Sequence, residues 1–523
     1  MRPDVSQPRE STKAGAVARS LTVLRGLSPL VHPIFFAAFP LLSLFEHNQT
    51  EVELSVLWKP LVLCVAAGVA LSGVFMLIFK RGTKAGALAS LVCVAFFYYG
   101  IFFEKVSGWG LTAGWFLPLW LALFVIGGFA LVRTRRRLVN LTLILSVGAA
   151  VLILGPSAKI AIYQANHPSI AISDPRLWPT DLQNLVPPSG AALPDIYFII
   201  PDDYARADVL QQYFGYDNAA FISQLTKRGF VIADQARSPY SDSELNIAAM
   251  LNMDYLNRLP TILGKDSQDV RPPRRLIQDN RASHLLESLG YRYVHLDTDE
   301  VTFAAGNPNI SPIGTPDSFM NLWLQQSVLR VVGGEFGFND ASTNERFRES
   351  IRSTFSQLAA LPQDPGPKFV VFHTLLPHDP YIFGAHGQPV TFEDISGEDH
   401  GAKIGMTYYL EQLKDLNRRL LEVVDAIQAK SAAPPIIIIQ SDEGFEVNED
   451  VFGEAAMQDI RVKGLIALYL PGASNALVPQ SLNTVNTLRF VFNQYFGTDY
   501  DLLRSASYPE ADLPYQFEEM RVT

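Results

Sequence analysis

Three polar clusters each follow an apolar run. Asp202 and Asp203 come just after "DIYFII" (195–200) and Pro201. His378 and Asp379 sit in "LLPHDPY", after "KFVVFHT" (368–374). Asp442 and Glu443 follow "PPIIIIQ" (434–440) and Ser441. If Asp202, Asp442 and Glu443 gather without partners, they repel one another and take up protons. A divalent cation resolves that conflict. An oxygen donor set selects a hard ion, Mn²⁺, Mg²⁺ or Ca²⁺, ahead of Zn²⁺. Strand-end acids are also ordinary caps and turn formers, and spacing alone leaves both readings open.

The stretch "SPYSDSELNIAAMLNM" (238–253) offers a nucleophile. Ser241 and Glu244 fit a capping box, which makes Ser241 the N-cap and puts Ser243 in the first helical turn. Free backbone N–H groups there favour a bound phosphate or sulfate. A hydroxyl on a metal loses its proton readily and attacks well. Serines at helix starts also serve structure alone. His378 can hold a phosphoryl oxygen or protonate a leaving group, and it also fits a loop histidine. His373, at a strand end, reads as structural. Asp203, Asp379 and Glu446 are candidates for a surrounding layer. His295, Asp297 and Asp299, in "HLDTDE" (295–300), follow another strand and can line the same cleft.

The elements that must position these groups form an α/β pattern. Uninterrupted apolar strands alternate with amphipathic helices such as "GMTYYLEQLKDLNRRLLEVVDAIQAK". That pattern predicts a largely parallel central sheet with helices on both faces. In such sheets ligands bind outside the carboxyl ends of the strands, where the three polar clusters fall.

The first third differs. Apolar runs near 28–45, 57–79, 85–103, 111–132 and 138–157 each approach the ~20 residues of a spanning helix. A signal peptide is the alternative for the first run, but four more follow it, which favours a retained anchor. Basic flanks (Arg2, Arg9, Lys13, Arg19 and Arg25; Lys80, Arg81 and Lys84; Arg133, Arg135, Arg136 and Arg137) alternate with flanks poor in Lys and Arg. The alternation places the N-terminus in the cytoplasm and, after five spans, the rest of the chain outside. The expected organisation is a transmembrane domain over 1–157, a Pro-rich interfacial linker over 158–193 and an extracytoplasmic catalytic domain over 194–523. A net charge of −10 argues against nucleic acid as a partner. Cys64 and Cys93, the only two cysteines, lie in apolar runs and exclude a disulfide framework or thiolate metal site.

Five segments in order carry a resemblance: "PDIYFIIPDDYARADVLQQYFGYDN", "SPYSDSELNIAAMLNMDYL", "HTLLPHDPYIF", "PPIIIIQSDEGF" and "TVNTLRFVFNQYFGTDY". Over about 190–505 the chain resembles the alkaline phosphatase superfamily, in its membrane-anchored sulfatase-like branch of lipoteichoic acid synthases and phosphoethanolamine transferases. The resemblance implies one metal ion held by Asp202, Ser243, Asp442 and Glu443. It implies Ser243 as nucleophile and His378 as a ligand of substrate phosphate. The usual Asp-His-Gly reads Asp442-Glu443-Gly444 here, which shifts the ion preference further from Zn²⁺. A common Gly is Asp203, and the nucleophile is Ser where the membrane transferases usually have Thr. "SDSEL" lacks the Pro and Arg that a formylglycine sulfatase needs.

The implied activity is transfer of a phospholipid-derived phosphoryl head group, phosphoethanolamine or phosphoglycerol, through a phosphoserine intermediate. The partners are membrane lipids, with a phospholipid donor and a cell-envelope glycan or lipid acceptor. The implied location is the bacterial cytoplasmic (inner) membrane, with the C-terminal domain periplasmic or extracellular. Two other readings stay open at this point. One is a phosphate- or sulfate-ester hydrolase using the same site. The other is a non-catalytic sulfatase-like protein of cell-surface polysaccharide assembly.

Overall fold

The computed structural model describes the chain except residues 1–9, 137, 180, 188–191, 299–317, 332–339, 391–401, 447–451, 475–476, 510–512 and 521–523, and except the side chains of 10–28, 318, 340–343 and 402–404. Residues 1–168 with 318–339 form one compact unit; 169–317 with 340–523 form another.

Among the described residues of the first unit, four helical stretches are long and apolar enough to cross a membrane: Pro29–His47, Leu54–Phe79, Ala113–Arg133 and Val139–Asn166. The expected third span is a broken helix. Gly82–Phe97 and Tyr99–Ser107 meet at 48° and make a fifth span only if counted together. Large apolar side chains on these helices face outward, among them Leu77, Trp115, Val125, Ile144 and Leu154. Helices apolar on every side suit a lipid solvent.

The bend has a visible neighbour. The helix Ser318–Gln325, distant in sequence, packs into this unit. Phe319 meets Phe45 edge-on and Trp323 stacks on Phe97. The Gly100 N–H donates to the Gln326 carbonyl at 2.7 Å. A Cβ at position 100 would lie 2.3 Å from the Gln325 carbonyl oxygen, so this close approach requires glycine. Arg330 closes the contact with an ion pair to Glu104 at 2.8 Å.

The second unit is built on a six-stranded sheet among the described residues. Its strands are β1 (Ile196–Asp202), β2 (Val231–Ile232), β3 (Arg292–Asp297), β4 (Lys368–Pro377), β5 (Ile436–Gln440) and β6 (Ile466–Tyr469), in the order β2-β6-β5-β1-β4-β3. Strands β5, β1, β4 and β3 run parallel; β6 is reversed, antiparallel to both β5 and the edge strand β2. The sheet is therefore mixed around a parallel centre.

Burial on both faces explains the uninterrupted apolar strands. Ile196, Phe198 and Ile200 of β1, with Ile436 and Ile438 of β5, enter one core beside the helix Ser243–Asn252. Tyr197 and Ile199, with Ile437 and Ile439, enter the opposite core beside the helices Asp340–Ala360 and Ala402–Lys430. At ~25 cal/mol per Å² of apolar surface, such two-sided burial is the main force fixing strand order. Register then aligns the strand ends. Ile200 pairs with His373 across β1 and β4, and His373 with Asp297 across β4 and β3. Ile199 pairs with Ile439, which puts Asp202 and Asp442 just beyond the same edge.

Candidate functional site

At this edge Asp202, His373 and Asp442 each bring a ligand atom, and the three atoms lie within 4.8 Å of one another. All three residues are buried. A second group shares Asp202 and adds Asp203 and Glu443 within the same limit. Asp202 is common to both groups, Asp442 falls with His373 in the first, and Glu443 falls with Asp203 in the second.

The loops after β1 and β5 hold one another. The backbone N–H groups of Asp203 and Glu443 donate to Asp442 Oδ1 at 3.2 and 2.8 Å. Ser441, fully buried, accepts from the Tyr204 N–H at 2.9 Å and lies 2.5 Å from the Glu443 carbonyl. Tyr409 accepts from the Ala205 N–H and donates to the Asp203 carbonyl at 2.8 Å. A Cβ on Gly444 would fall 2.0 Å from the Ile460 carbonyl, so the turn after Glu443 also depends on glycine.

In these two loops three carboxylate oxygens are buried with no hydrogen-bond partner: Asp203 Oδ1, Asp442 Oδ2 and Glu443 Oε2. An unpartnered ionised carboxylate in a protein interior is costly. Burial, then Asp442 and Asp203, push the Asp202 carboxyl far above the usual range. Burial pushes Asp203 up to about 7, with Asp442 and Glu446 adding to the effect. Burial, then Asp203 and Asp442, raise Glu443 as well. These groups fit a divalent cation. Orphaned oxygens, mutual repulsion and one imidazole within ligand range are what such an ion would satisfy.

Ser243 begins the helix Ser243–Asn252 and lies beside this cluster, its Oγ 3.4 Å from Asp202 Oδ1. The capping differs from the sequence expectation. Asp242, not Ser241, is the N-cap, and its side chain accepts from the Leu245 N–H at 2.8 Å. Glu244 does not close a capping box; it pairs with Arg274 at 2.9 Å. Either residue type caps a helix, and Asp242 fits the position one residue nearer the first apolar turn. Ser243 therefore takes the first helical position.

His378 stands at 3.9 Å from Asp203 Oδ2 and 3.4 Å from Glu446 Oε2, with Nδ1 2.9 Å from Asp379 Oδ1. Burial works to lower its pKa. Asp379 and Glu446, backed by Asp203 and Asp202, outweigh burial and hold the ring protonated well above its ordinary range. A protonated imidazole cannot ligate a metal. Asp203, His378 and Glu446 also fall within 4.8 Å of one another, but with His378 charged they form an ion cluster, suited to holding an anion or giving up a proton.

Two neighbours were passed over in the sequence. His373 reads there as structural, yet it joins Asp202 and Asp442. Asp297, given only as a possible cleft residue, holds His373 Nδ1 at 3.2 Å. His295 lies 3.9 Å from the other Asp297 oxygen. Asp299 lies outside the described residues.

No protein-family model and no curated protein matches the sequence. Solved structures similar to the chain include the C-terminal periplasmic domain of EcEptC from Escherichia coli (10% identity, TM-score 0.40, 64% of this chain and 98% of that one). Another is the integral membrane protein lipooligosaccharide phosphoethanolamine transferase A from Neisseria meningitidis (12%, TM-score 0.35, 84% and 88%). A third is an alkaline phosphatase superfamily protein from Vibrio parahaemolyticus (12%, TM-score 0.38, 67% and 81%). At such identities the roles of individual residues rest on the geometry above.

Proposed function

We propose that the chain is a membrane-bound, metal-dependent phosphotransferase. It moves a phospholipid-derived phosphoryl head group to a cell-envelope glycan or lipid through phosphorylated Ser243. The observation that carries this reading is one juxtaposition: Ser243 Oγ beside Asp202, within a buried group of acids several of whose oxygens lack hydrogen-bond partners. Apolar N-terminal helices support a site working beside lipid donors. In this reading residues 1–157 anchor the chain in the bacterial inner membrane and 158–193 link it to the outer region. Residues from 194 onward, apart from 318–339, form the catalytic domain in the periplasm or outside the cell.

Asp202, Asp442 and Glu443, with Ser243, are the groups that would hold the ion. When bound, the ion would supply positive charge that offsets the repulsion among these acids, favours loss of the Ser243 proton and offsets charge on the phosphoryl oxygens. The chain's own groups move the protons. Ser243 Oγ attacks phosphorus as its proton passes to Asp202 Oδ1. The bond from phosphorus to the lipid oxygen breaks, and that oxygen takes a proton from His378. In the second half an acceptor hydroxyl attacks the same phosphorus and returns a proton to His378. The bond to Ser243 Oγ breaks, and Oγ regains its proton from Asp202.

Labelled phospholipid supplied with and without acceptor glycan tests the proposal. Label reaching the glycan supports transfer. Release of label only to water indicates a hydrolase. No processing by a folded, metal-loaded protein indicates the non-catalytic reading.

A further inference from the structure

We propose that His373 is a nitrogen ligand of the cation and that Asp297 is the positioning residue that aims it. This rests on the metal-dependent reading above and goes beyond the donor set read from the sequence.

Register supplies the first reason. Asp297 and His373 are direct partners on parallel strands β3 and β4, and His373 is the partner of Ile200 on β1. The imidazole is thereby fixed at the same edge as Asp202. Its Nδ1 is engaged by Asp297 Oδ1 at 3.2 Å, which leaves Nε2 on the side of the cluster. A carboxylate behind an imidazole is the usual way to fix the ring tautomer and orientation of a metal-ligating histidine.

Distance supplies the second. His373 Nε2 is 3.8 Å from Asp202 Oδ2, too long for a hydrogen bond. Two donors each about 2.1 Å from one ion stand roughly 3 to 4.2 Å apart, depending on their angle. The separation therefore suits two ligands of a shared ion.

Asp442 supplies the third. Its Oδ1 is taken up by two backbone N–H groups, while its Oδ2 is buried without a partner. Asp442 is fully buried, and its ligand atom falls within 4.8 Å of those of His373 and Asp202. Glu443, which occupies the sequence position of the usual imidazole, groups with Asp203. His373 reaches the cluster from a different strand and restores a nitrogen donor. An imidazole among carboxylates moves the preference toward Mn²⁺ and Zn²⁺ and away from Mg²⁺ and Ca²⁺.

The test uses the full chain in detergent, stripped with chelator and loaded with Mn²⁺. Electron spin-echo modulation from ¹⁴N reports a directly bound imidazole, and calorimetry gives the affinity. The wild type is expected to show ¹⁴N modulation. His373→Gln is expected to lose it and to bind Mn²⁺ about 10- to 100-fold more weakly. Asp297→Asn is expected to keep the modulation while weakening binding about tenfold or more. His378→Gln is expected to leave the modulation in place. A wild type that binds Mn²⁺ without ¹⁴N modulation overturns the assignment, and so does modulation that survives His373→Gln. Calcium affinity falling as steeply as manganese affinity in His373→Gln also counts against it. A wild type that binds neither Mn²⁺ nor Zn²⁺ removes the metal-dependent reading itself. The wild-type spectrum decides the first question even if a variant fails to fold.

Discussion

Ser243 Oγ lies 3.4 Å from Asp202 Oδ1, joining the first turn of one helix to the carboxyl end of the central strand. The two residues are 41 positions apart in the chain. The contact puts a hydroxyl next to a group able to take its proton.

Ser243→Ala is expected to abolish head-group transfer while the protein keeps its fold, since Ser243 is only partly buried at a helix start. Asp202→Asn is expected to lower kcat by about 10²- to 10⁴-fold, the usual cost of losing a positioned proton acceptor. Transfer assays beside a thermal melt separate the two effects. Full activity in Ser243→Ala would exclude this residue as nucleophile.

The metal-stripped protein is expected to lose stability as pH rises. Asp203 has a folded pKa of about 7 against an ordinary value of 3.8, and Asp202 and Glu443 are raised in the same direction. Between those values the folded state binds more protons than the unfolded one. Stability is then fully present below about pH 4 and lost as pH climbs toward 7 and beyond. Added cation is expected to flatten the profile. Melting points from pH 4 to 8, with and without Mn²⁺, check this; a midpoint that rises with pH in the stripped protein contradicts it.

Asp203 adopts φ +57°, a left-handed conformation that costs a side-chain-bearing residue about 1 kcal/mol relative to glycine. It also buries an oxygen without a partner. Asp203→Gly is expected to raise the melting point of the stripped protein and to reduce the stabilisation that added cation gives. Chemical denaturation of both forms measures the change, and a less stable Asp203→Gly protein would show that Asp203 stabilises the turn.

Much of the second unit is legible in the sequence. Four isoleucines without a polar break, flanked by Pro435 and a polar turn, read as a strand covered on both faces, and Asp442 lies just beyond it. The same reasoning placed Asp202 at the end of β1. The parallel centre is legible in the alternation of apolar strands with helices, but the reversal of β6 is not, because its apolar run carries no sign of direction. The placement of His373 was hidden for a related reason. It sits inside the apolar run of β4, and only register against Asp297, 76 residues earlier, shows that Nδ1 is held from behind with Nε2 toward Asp202. The packing of Ser318–Gln325 in the first unit was likewise invisible, since Phe319 and Trp323 look like any amphipathic helix face.

That packing gives a separate expectation. Gly100→Val places a branched side chain where even a Cβ meets the Gln325 carbonyl at 2.3 Å. Overpacking of this kind costs about 1–3 kcal/mol. Hydrogen exchange is expected to show lost protection in residues 318–331 and unchanged protection in the central sheet. Unchanged exchange in 318–331 would mean that this contact does not hold the segment.

The most direct measurement is mass spectrometry of the peptide carrying Ser243 after the full-length, metal-loaded protein has met phospholipid without acceptor. The expected result is a head-group phosphoryl adduct on Ser243 that disappears when acceptor is added. Turnover of the same lipid with no adduct on Ser243, or with the adduct on another residue, would contradict the phosphoserine reading.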